Sequence, residues 1–381
     1  MSGRFPDGTG PEAVRRALEF IRSPSAERFT ATALEVFAHQ FARNEPYRRL
    51  CRARGVTPER VGSWEEIPAV PAAAFREARL TTAPASRVFA TSGTTAGVGK
   101  RGLHHLPDLS LYEAAWVEPF RAHLLPDRGS MRILSLVPSE RALPDSSLSY
   151  MIERVLERFG GPRSGRFFEP GAVDLPSLRE AMRDAGERGE PVMLLGTAFA
   201  FAHLLDDLAA RGERFALPAG SRVMDTGGFK GRGREVAREE ILRLFGERLG
   251  VPGSHVVGEY GMTELSSQFY EPTLARDGAR GMAWEGRSGG DAPGTAGGER
   301  FYEVPPWVRT RVLDPASLEP AAAGSDGLLA HLDLANAWTV SAIVTEDIGR
   351  ICEGGFELRG RAKGAELRGC SLVTEELLGE V

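Results

Sequence analysis

Apolar residues recur at helical spacing over the first fifty positions. Ala13, Ala17, Leu18 and Ile21 follow Pro11 with a near 3.6-residue repeat, and Leu34, Phe37, Ala38 and Phe41 share one side of a second run from about Ala31 to Ala42. Pro46 suits a first helical turn, where its missing N–H would be unsatisfied anyway, and it opens a third short run carrying Tyr47, Leu50 and Cys51. Prolines 68 and 71 then break the pattern. Beyond them short apolar runs alternate with longer periodic ones. Strands are expected at 132–137, 192–195, 222–224 and 255–257, and helices at 147–159, 198–211 and 234–249. Strands separated by helices predict β-α units and a largely parallel sheet. Between Asp277 and Arg300 the composition shifts to Gly, Ala, Arg and Ser, which reads as a loop. Strand-like runs at 307–313, 327–332 and 341–344 follow, separated by turns at Asp314-Pro315 and Ser325-Asp326-Gly327. From Arg350 onward the chain is rich in glycine, and no internal repeat is visible.

At 381 residues, 42% hydrophobic and 26% charged, the chain can bury a large core spread over more than one domain-sized unit. A formal net charge of -5, with arginines interleaved among glutamates as in 232–240, lacks the basic footprint of a nucleic-acid binder. Three scattered cysteines, Cys51, Cys352 and Cys370, argue against a disulfide framework and for a reducing compartment. With no apolar leader at residue 1 and no apolar run of spanning length, a cytoplasmic protein without a membrane span is the expectation. His203 and His255 read as packing or polar core residues, and no His/Cys/Asp cluster has metal-ligand spacing.

Three segments carry chemistry. Thr91-Ser92-Gly93-Thr94-Thr95-Ala96-Gly97-Val98-Gly99-Lys100 combines hydroxyls, glycines and a lysine. Glycine lets backbone N–H groups approach phosphate oxygens, hydroxyls add donors and the lysine adds a charge; a plain surface loop is the alternative. It is not a P-loop, because five residues rather than four separate Gly93 from Gly99 and Arg101 follows the lysine. Glu259-Tyr260-Gly261-Met262-Thr263-Glu264 follows an expected strand. Its aromatic ring suits a purine, Gly261 permits close approach and Glu264 suits Mg²⁺ shared with phosphates; a strand-to-loop turn is the alternative. Met224-Asp225-Thr226-Gly227-Gly228 also ends a strand, where paired glycines suit a flat ligand or a simple turn. Gly286-Arg287-Ser288-Gly289-Gly290 fits a nucleophile-elbow pattern only formally, since no convincing strand precedes it.

In order and rough spacing these segments resemble the adenylate-forming superfamily of acyl-CoA synthetases, luciferase-type enzymes and peptide-synthetase adenylation domains. Thr345-Glu346-Asp347-Ile348-Gly349-Arg350 looks like its ribose-binding aspartate motif, and Arg359-Gly360-Arg361 like its hinge. The resemblance covers roughly Val88 to Arg361 and implies an α/β adenylation domain with mostly parallel sheets flanked by helices, a small β-rich portion and a reduced C-terminal element. It implies bounds of 1–85 for an N-terminal helical region, 86–349 for the core and 350–381 for the tail. It places ATP phosphates on Thr91, Ser92, Gly93, Thr94, Thr95 and Lys100, adenine on Tyr260 beside Gly227, Gly228, Gly261 and Met262, the α-phosphate and Mg²⁺ on Thr263 and Glu264, and ribose on Asp347 with Arg361 in contact.

A narrower likeness, carried by Asn44-Glu45-Pro46-Tyr47 with Cys51, by Ile67-Pro68-Ala69-Val70-Pro71 and by Asp108-Leu109-Ser110-Leu111-Tyr112, is to acyl-protein synthetases, the fatty-acid-activating subunits of bacterial bioluminescence reductase complexes. It implies a fatty acid substrate, ATP and Mg²⁺, a reductase partner, and a C-terminal cysteine that takes the acyl group as a thioester; Cys370, in Arg368-Gly369-Cys370-Ser371-Leu372, is the residue that fits. Arg361, Lys363 and Arg368 nearby would lower its pKa. Cys51 and Cys352 read as structural. Phe199, Phe201, Leu204 and Leu205 would line an acyl tunnel or pack a helix into the core. Two other readings stay open: a ligase of the phenylacetate-CoA-ligase type passing the acyl group to CoA or a carrier, and a catalytically silent nucleotide- or acyl-binding scaffold.

Overall fold

The computed structural model describes residues 11–92, 100–169, 171–227, 238–274, 300–362 and 368–378. The chain opens with three helices, α1 (Glu12–Arg22), α2 (Phe29–Arg43) and α3 (Glu45–Ala53). The side chain of Asn44 accepts the Tyr47 N–H at 3.4 Å to start α3, with Pro46 in its first turn. Their apolar faces bury Val14, Phe20, Phe29, Phe37 and Leu50. Next come β1 (Val70–Pro71), the hairpin β2 (Arg87–Ala90) and β3 (Leu103–Leu106), and α4 (Ser110–Leu124).

The β-α series follows: β4 (Arg132–Ser135), α5 (Ser147–Phe159), β5 (Gly165–Arg166), β6 (Phe168–Glu169), β7 (Ala172–Val173), α6 (Leu175–Arg188), β8 (Val192–Thr197), α7 (Ala198–Arg211), β9 (Arg222–Thr226), α8 (Arg238–Leu249) and β10 (Val256–Tyr260). Ser146, Asp174 and Thr197 cap α5, α6 and α7 through side-chain oxygens. α6 and α7 end at Gly189 and Gly212, each at φ 62°, a left-handed position that costs glycine little. The remaining elements are β11 (Phe269–Tyr270), β12 (Tyr302–Glu303), β13 (Val308–Leu313), β14 (Gly327–Asp333), β15 (Ala342–Cys352), β16 (Gly355–Arg361) and α9 (Arg368–Leu378).

Among the described residues twelve strands form one sheet in the order β13-β14-β15-β16-β12-β11-β10-β9-β8-β4-β5, with β1 added on β15. β5, β4, β8, β9 and β10 run parallel; β13 to β16 form an antiparallel meander, and β11 and β12 join the two halves. The expected parallel and β-rich portions are therefore continuous. The parallel half is covered on both faces, and its residues alternate between them. Ile133, Met193, Leu195, Met224 and Val257 pack toward α4 and α5, whereas Leu134, Leu194, Val223 and Val256 pack toward α6, α7 and α8. A third core lies between α1–α3 and the meander, around Trp307, Leu329, Trp338 and Phe356. The tail boundary expected after residue 349 falls inside β15, and α9 returns to pack on α3 and β1.

Candidate active site

The C-terminal ends of β8, β9 and β10 lie side by side, the edge where open α/β sheets bind ligands. β9 delivers Thr226 and then Gly227, at φ 74°. β10 delivers Glu259 and Tyr260. Thr226 donates its hydroxyl to the buried Glu259 carboxylate. A Cβ on Gly261 would sit 2.5 Å from that carboxylate, so a side chain there would have to shift Glu259 away from its place beside Thr226.

Tyr260 donates its hydroxyl to Asp347 Oδ2 at 2.9 Å. Burial, then the Asp347 carboxylate, hold the phenol well above its ordinary pKa, so it remains the donor. The ring is buried among Phe269, Tyr302, His331 and Phe356, with centroids 5.5–6.0 Å away. Asp347 stands on β15 opposite Arg361 of β16. Burial would lower the Arg361 pKa, but the carboxylates of Glu346, Asp347 and Glu264 outweigh it and raise the value. Tyr260, Asp347, Arg361 and Glu264 thus share one region.

Glu264 is buried and lies against the base of the hydroxyl-rich hairpin: a Cβ on Gly102 would be 3.3 Å from its Oε1 and 3.1 Å from Thr91 Cγ2. Thr91 and Gly102 close that hairpin with backbone and side-chain bonds of 2.9 and 3.0 Å. Ser92 follows Thr91; Gly93, Thr94 and Thr95 lie outside the described residues, as do Gly228 and the 286–290 segment. The two basic residues after the loop differ. Arg101 is committed to the Thr91 and Ala90 carbonyls and to Asp145, while Lys100 is exposed and pairs with Glu77 at 3.1 Å. Met262 packs on the N-terminal core.

Polar residues that sequence reasoning missed hold this turn from behind. His104, on β3, contacts the Thr263 carbonyl at 2.7 Å, and Asn336 Nδ2 donates to the Glu264 carbonyl at 2.8 Å. Asp333 accepts from the N–H and hydroxyl of Ser267, and Gln40, from α2, donates to the Asn336 carbonyl at 3.0 Å. Gln40 carried a signal, being a polar residue three positions after Phe37 on the apolar stripe. A second missed cluster lies behind β9 and β10: Arg238 bridges Asp225 of β9 and Glu271, which follows β11 and accepts from the Gly258 N–H of β10, and Arg300 joins Glu271 at 2.8 Å. Burial pushes Glu271 up, but Arg300 and Arg238 outweigh it and hold the carboxyl below its usual range.

Cys370 lies in the first turn of α9, buried in one apolar cluster with Leu328, Ala330, Val344 and Ala362. The expected activation by cations is corrected here: burial, then Glu346, push its thiol up to about 11. Cys51 is buried in α3 and pushed up to about 12 by burial, and Cys352 ends β15 half-buried. Of the tunnel candidates, Phe201, Leu204 and Leu205 are core residues of α7 and Phe199 is exposed. His203 is exposed rather than core, and His255 is half-buried beside Ser254. No helix among the described residues is long and apolar enough to cross a membrane.

Residues 291–379 match the family described as "Acyl-protein synthetase, LuxE". Over 350 residues the chain is 23% identical to the long-chain-fatty-acid–luciferin-component ligase of Vibrio harveyi, covering 88% of this chain and 84% of that one. The Aliivibrio fischeri ligase of the same name is 24% identical over 84% of this chain and 78% of its own. In structure, an open conformation of 2-hydroxyisobutyryl-CoA ligase in complex with 2-HIB-AMP and CoA superposes with a TM-score of 0.59 at 14% identity, over 89% of this chain and 71% of that one. The same ligase in its thioesterification state gives 0.57 at 15%, over 94% and 73%. By these matches the chain is similar to the acyl-protein synthetase family over residues 291–379 and to the two luciferin-component ligases over most of its length, and it has the fold of the adenylate-forming ligases.

Proposed function

We propose that this chain is a ligase that activates a long-chain fatty acid with ATP as the acyl-adenylate, then passes the acyl group to Cys370 and on to a partner such as a fatty-acid reductase. The observation that carries the reading is the hydrogen bond from Tyr260 to Asp347. It joins two motifs 87 residues apart at one sheet edge, beside Glu264 and Arg361.

A carboxylate is a poor acyl donor because its leaving group would be oxide. Attack of its oxygen on the α-phosphate of ATP forms a mixed anhydride and releases pyrophosphate. The protein's share is positioning and charge stabilisation. Asp347 accepts from the ribose hydroxyls and is oriented by Tyr260. Tyr260, Gly261, Met262 and Gly227, with Gly228, frame the adenine. Thr91 and Ser92, with Gly93, Thr94 and Thr95, donate to the phosphates, as does Lys100, which can leave its exposed pair with Glu77. Thr263 serves the α-phosphate and Arg361 contacts the nucleotide.

Among the described residues no group of three or more His, Cys, Asp or Glu side chains is arranged to hold a metal ion by itself. Glu264, a single buried carboxylate beside a hydroxyl-rich hairpin, instead fits Mg²⁺, which takes its other oxygens from phosphates and water. When bound there, Mg²⁺ would neutralise phosphate charge.

In the second step the Cys370 thiolate attacks the adenylate carbonyl and AMP leaves. The burial of Cys370 favours one competing reading, in which a diffusible thiol such as CoA takes the acyl group. The test is incorporation of radiolabelled fatty acid with ATP and Mg²⁺, beside Cys370→Ser. A hydroxylamine-labile label lost in the variant supports transfer to Cys370. Acid-dependent ATP–pyrophosphate exchange without label moves the acceptor elsewhere. Absence of both removes the ligase reading and leaves a nucleotide- or acyl-binding scaffold.

A further inference from the structure

Glu264 is bracketed by two fixed peptide groups. The carbonyl of Thr263, on its N-terminal side, meets His104 Nδ1 at 2.7 Å, and its own carbonyl accepts from Asn336 Nδ2 at 2.8 Å. A carbonyl only accepts, so Nδ1 of His104 carries the proton. Burial pushes the imidazole pKa down to about 4, so the ring is neutral and Nε2 holds a lone pair. Nε2 accepts from the Thr339 hydroxyl at 3.0 Å. The tautomer is therefore set by its two partners. The ring is 1% exposed, and Phe75 packs edge-on against it at 5.6 Å. His104 also stands two residues after Gly102, where the hairpin closes against the Glu264 carboxylate. One short strand therefore follows the Thr91–Gly102 closure and holds the backbone ahead of Glu264.

We infer that His104 is a positioning residue that fixes the Glu264 carboxylate relative to the Thr91–Gly102 closure beside it. The inference rests on the reading of Glu264 given under the proposed function. His104 touches no reacting atom; it acts through Thr263. Lateral misplacement of about 1 Å can cost ~100-fold in rate, and loss of the Nδ1 bond frees one of the two peptide groups that flank Glu264.

Two variants separate positioning from packing. His104→Asn keeps an N–H where Nδ1 stands but gives up ring volume against Phe75. His104→Leu keeps the volume and loses the donor. Acid-dependent ATP–pyrophosphate exchange and thermal melting are measured on both, with Mg²⁺ titrated. The expected result is a loss of about 10- to 100-fold in kcat for the leucine variant, a raised Mg²⁺ requirement and an unchanged KM for the acid. The asparagine variant recovers most of the activity even where it melts lower. A leucine variant with wild-type kcat overturns the inference, as does activity that tracks melting temperature in both variants. A wild type without acid-dependent exchange overturns the ligase reading, and the inference with it.

Discussion

Cys370 can react only to the extent that α9 leaves its site. In the docked state its thiol is pushed up to about 11, against an ordinary value of about 8.5. At pH 8 the docked thiolate fraction is then about 0.001, whereas a free thiol has about a quarter ionised. The stronger nucleophilicity of a high-pKa thiolate returns about tenfold of that, leaving a deficit of roughly 25-fold before steric exclusion is counted. α9 is held on α3 partly by Arg54 Nε to Glu376 Oε2 at 2.8 Å and by Arg49 to the Leu377 carbonyl at 3.3 Å. Both side chains of the ion pair are 33% exposed, so screening keeps its worth to about 0.2–1 kcal/mol. Arg54→Ala should then raise the opening equilibrium, and with it Cys370 alkylation, by about 1.4- to 5-fold. The assay is iodoacetamide labelling of the native protein, read by peptide mass spectrometry, with Cys51 as the internal control for global unfolding. Cys370 labelling at the rate of an unstructured thiol in the wild type would refute the reasoning. So would an Arg54→Ala variant in which Cys51 and Cys370 gain reactivity together.

Tyr260→Phe removes a hydrogen bond to a carboxylate, about 1.5–3 kcal/mol when buried; because Asp347 is half-buried and water can replace the donor, the lower end applies, and KM for ATP in pyrophosphate exchange should rise about tenfold. Gly261→Ala places a Cβ 2.5 Å from the Glu259 carboxylate and should cost about 1–3 kcal/mol, read as a lowered urea midpoint at constant m-value. For pH dependence, burial depresses His104 to about 4 and His331 to about 3, so their contributions are present above about 6.5 and are lost as pH falls through those lower values. Asp333 has the opposite sign: burial raises it to about 6, so its contribution is present below about 3.9 and lost as pH rises through 6. Urea midpoints should therefore fall with pH below 6.5, and Asp333→Asn should steepen the fall between pH 6 and 4; an unchanged slope counts against the assignment.

The segments that read most clearly in the sequence are those whose burial has one period. α5 and α7 have the expected bounds, because each places a continuous apolar stripe between a capping Ser or Thr and a terminal glycine. The strands at 132–135, 192–197, 222–226 and 256–260 began where expected or one residue later, and most outran the expected ends. α4 was not legible: apolar side chains surround it on both sides, and Pro119 stands inside it, which ordinarily breaks a helix. α6 was hidden by its many charges, although Asp174 and Pro176 mark its start. The glycine-rich tail concealed α9, whose buried positions, Cys370, Val373 and Leu377, gain their meaning only from α3 and β1. For the site, the residues proposed to touch a ligand stood in recognisable motifs. The residues that hold those motifs do not, because His104, Asn336 and Asp333 act through contacts far apart in sequence.

The bond from Gln40 to Asn336 spans 296 residues, and that from Arg54 to Glu376 spans 322. The helices made first therefore find their partners last. During synthesis α1 to α3 leave the ribosome well before Trp307, Trp338 and Leu377, which complete their core. Contacts of such separation form late, after the entropy of closing a long loop has been met. Until then Phe20, Phe29 and Phe37 stand uncovered on nascent helices, so the N-terminal region is where this chain would depend on a chaperone.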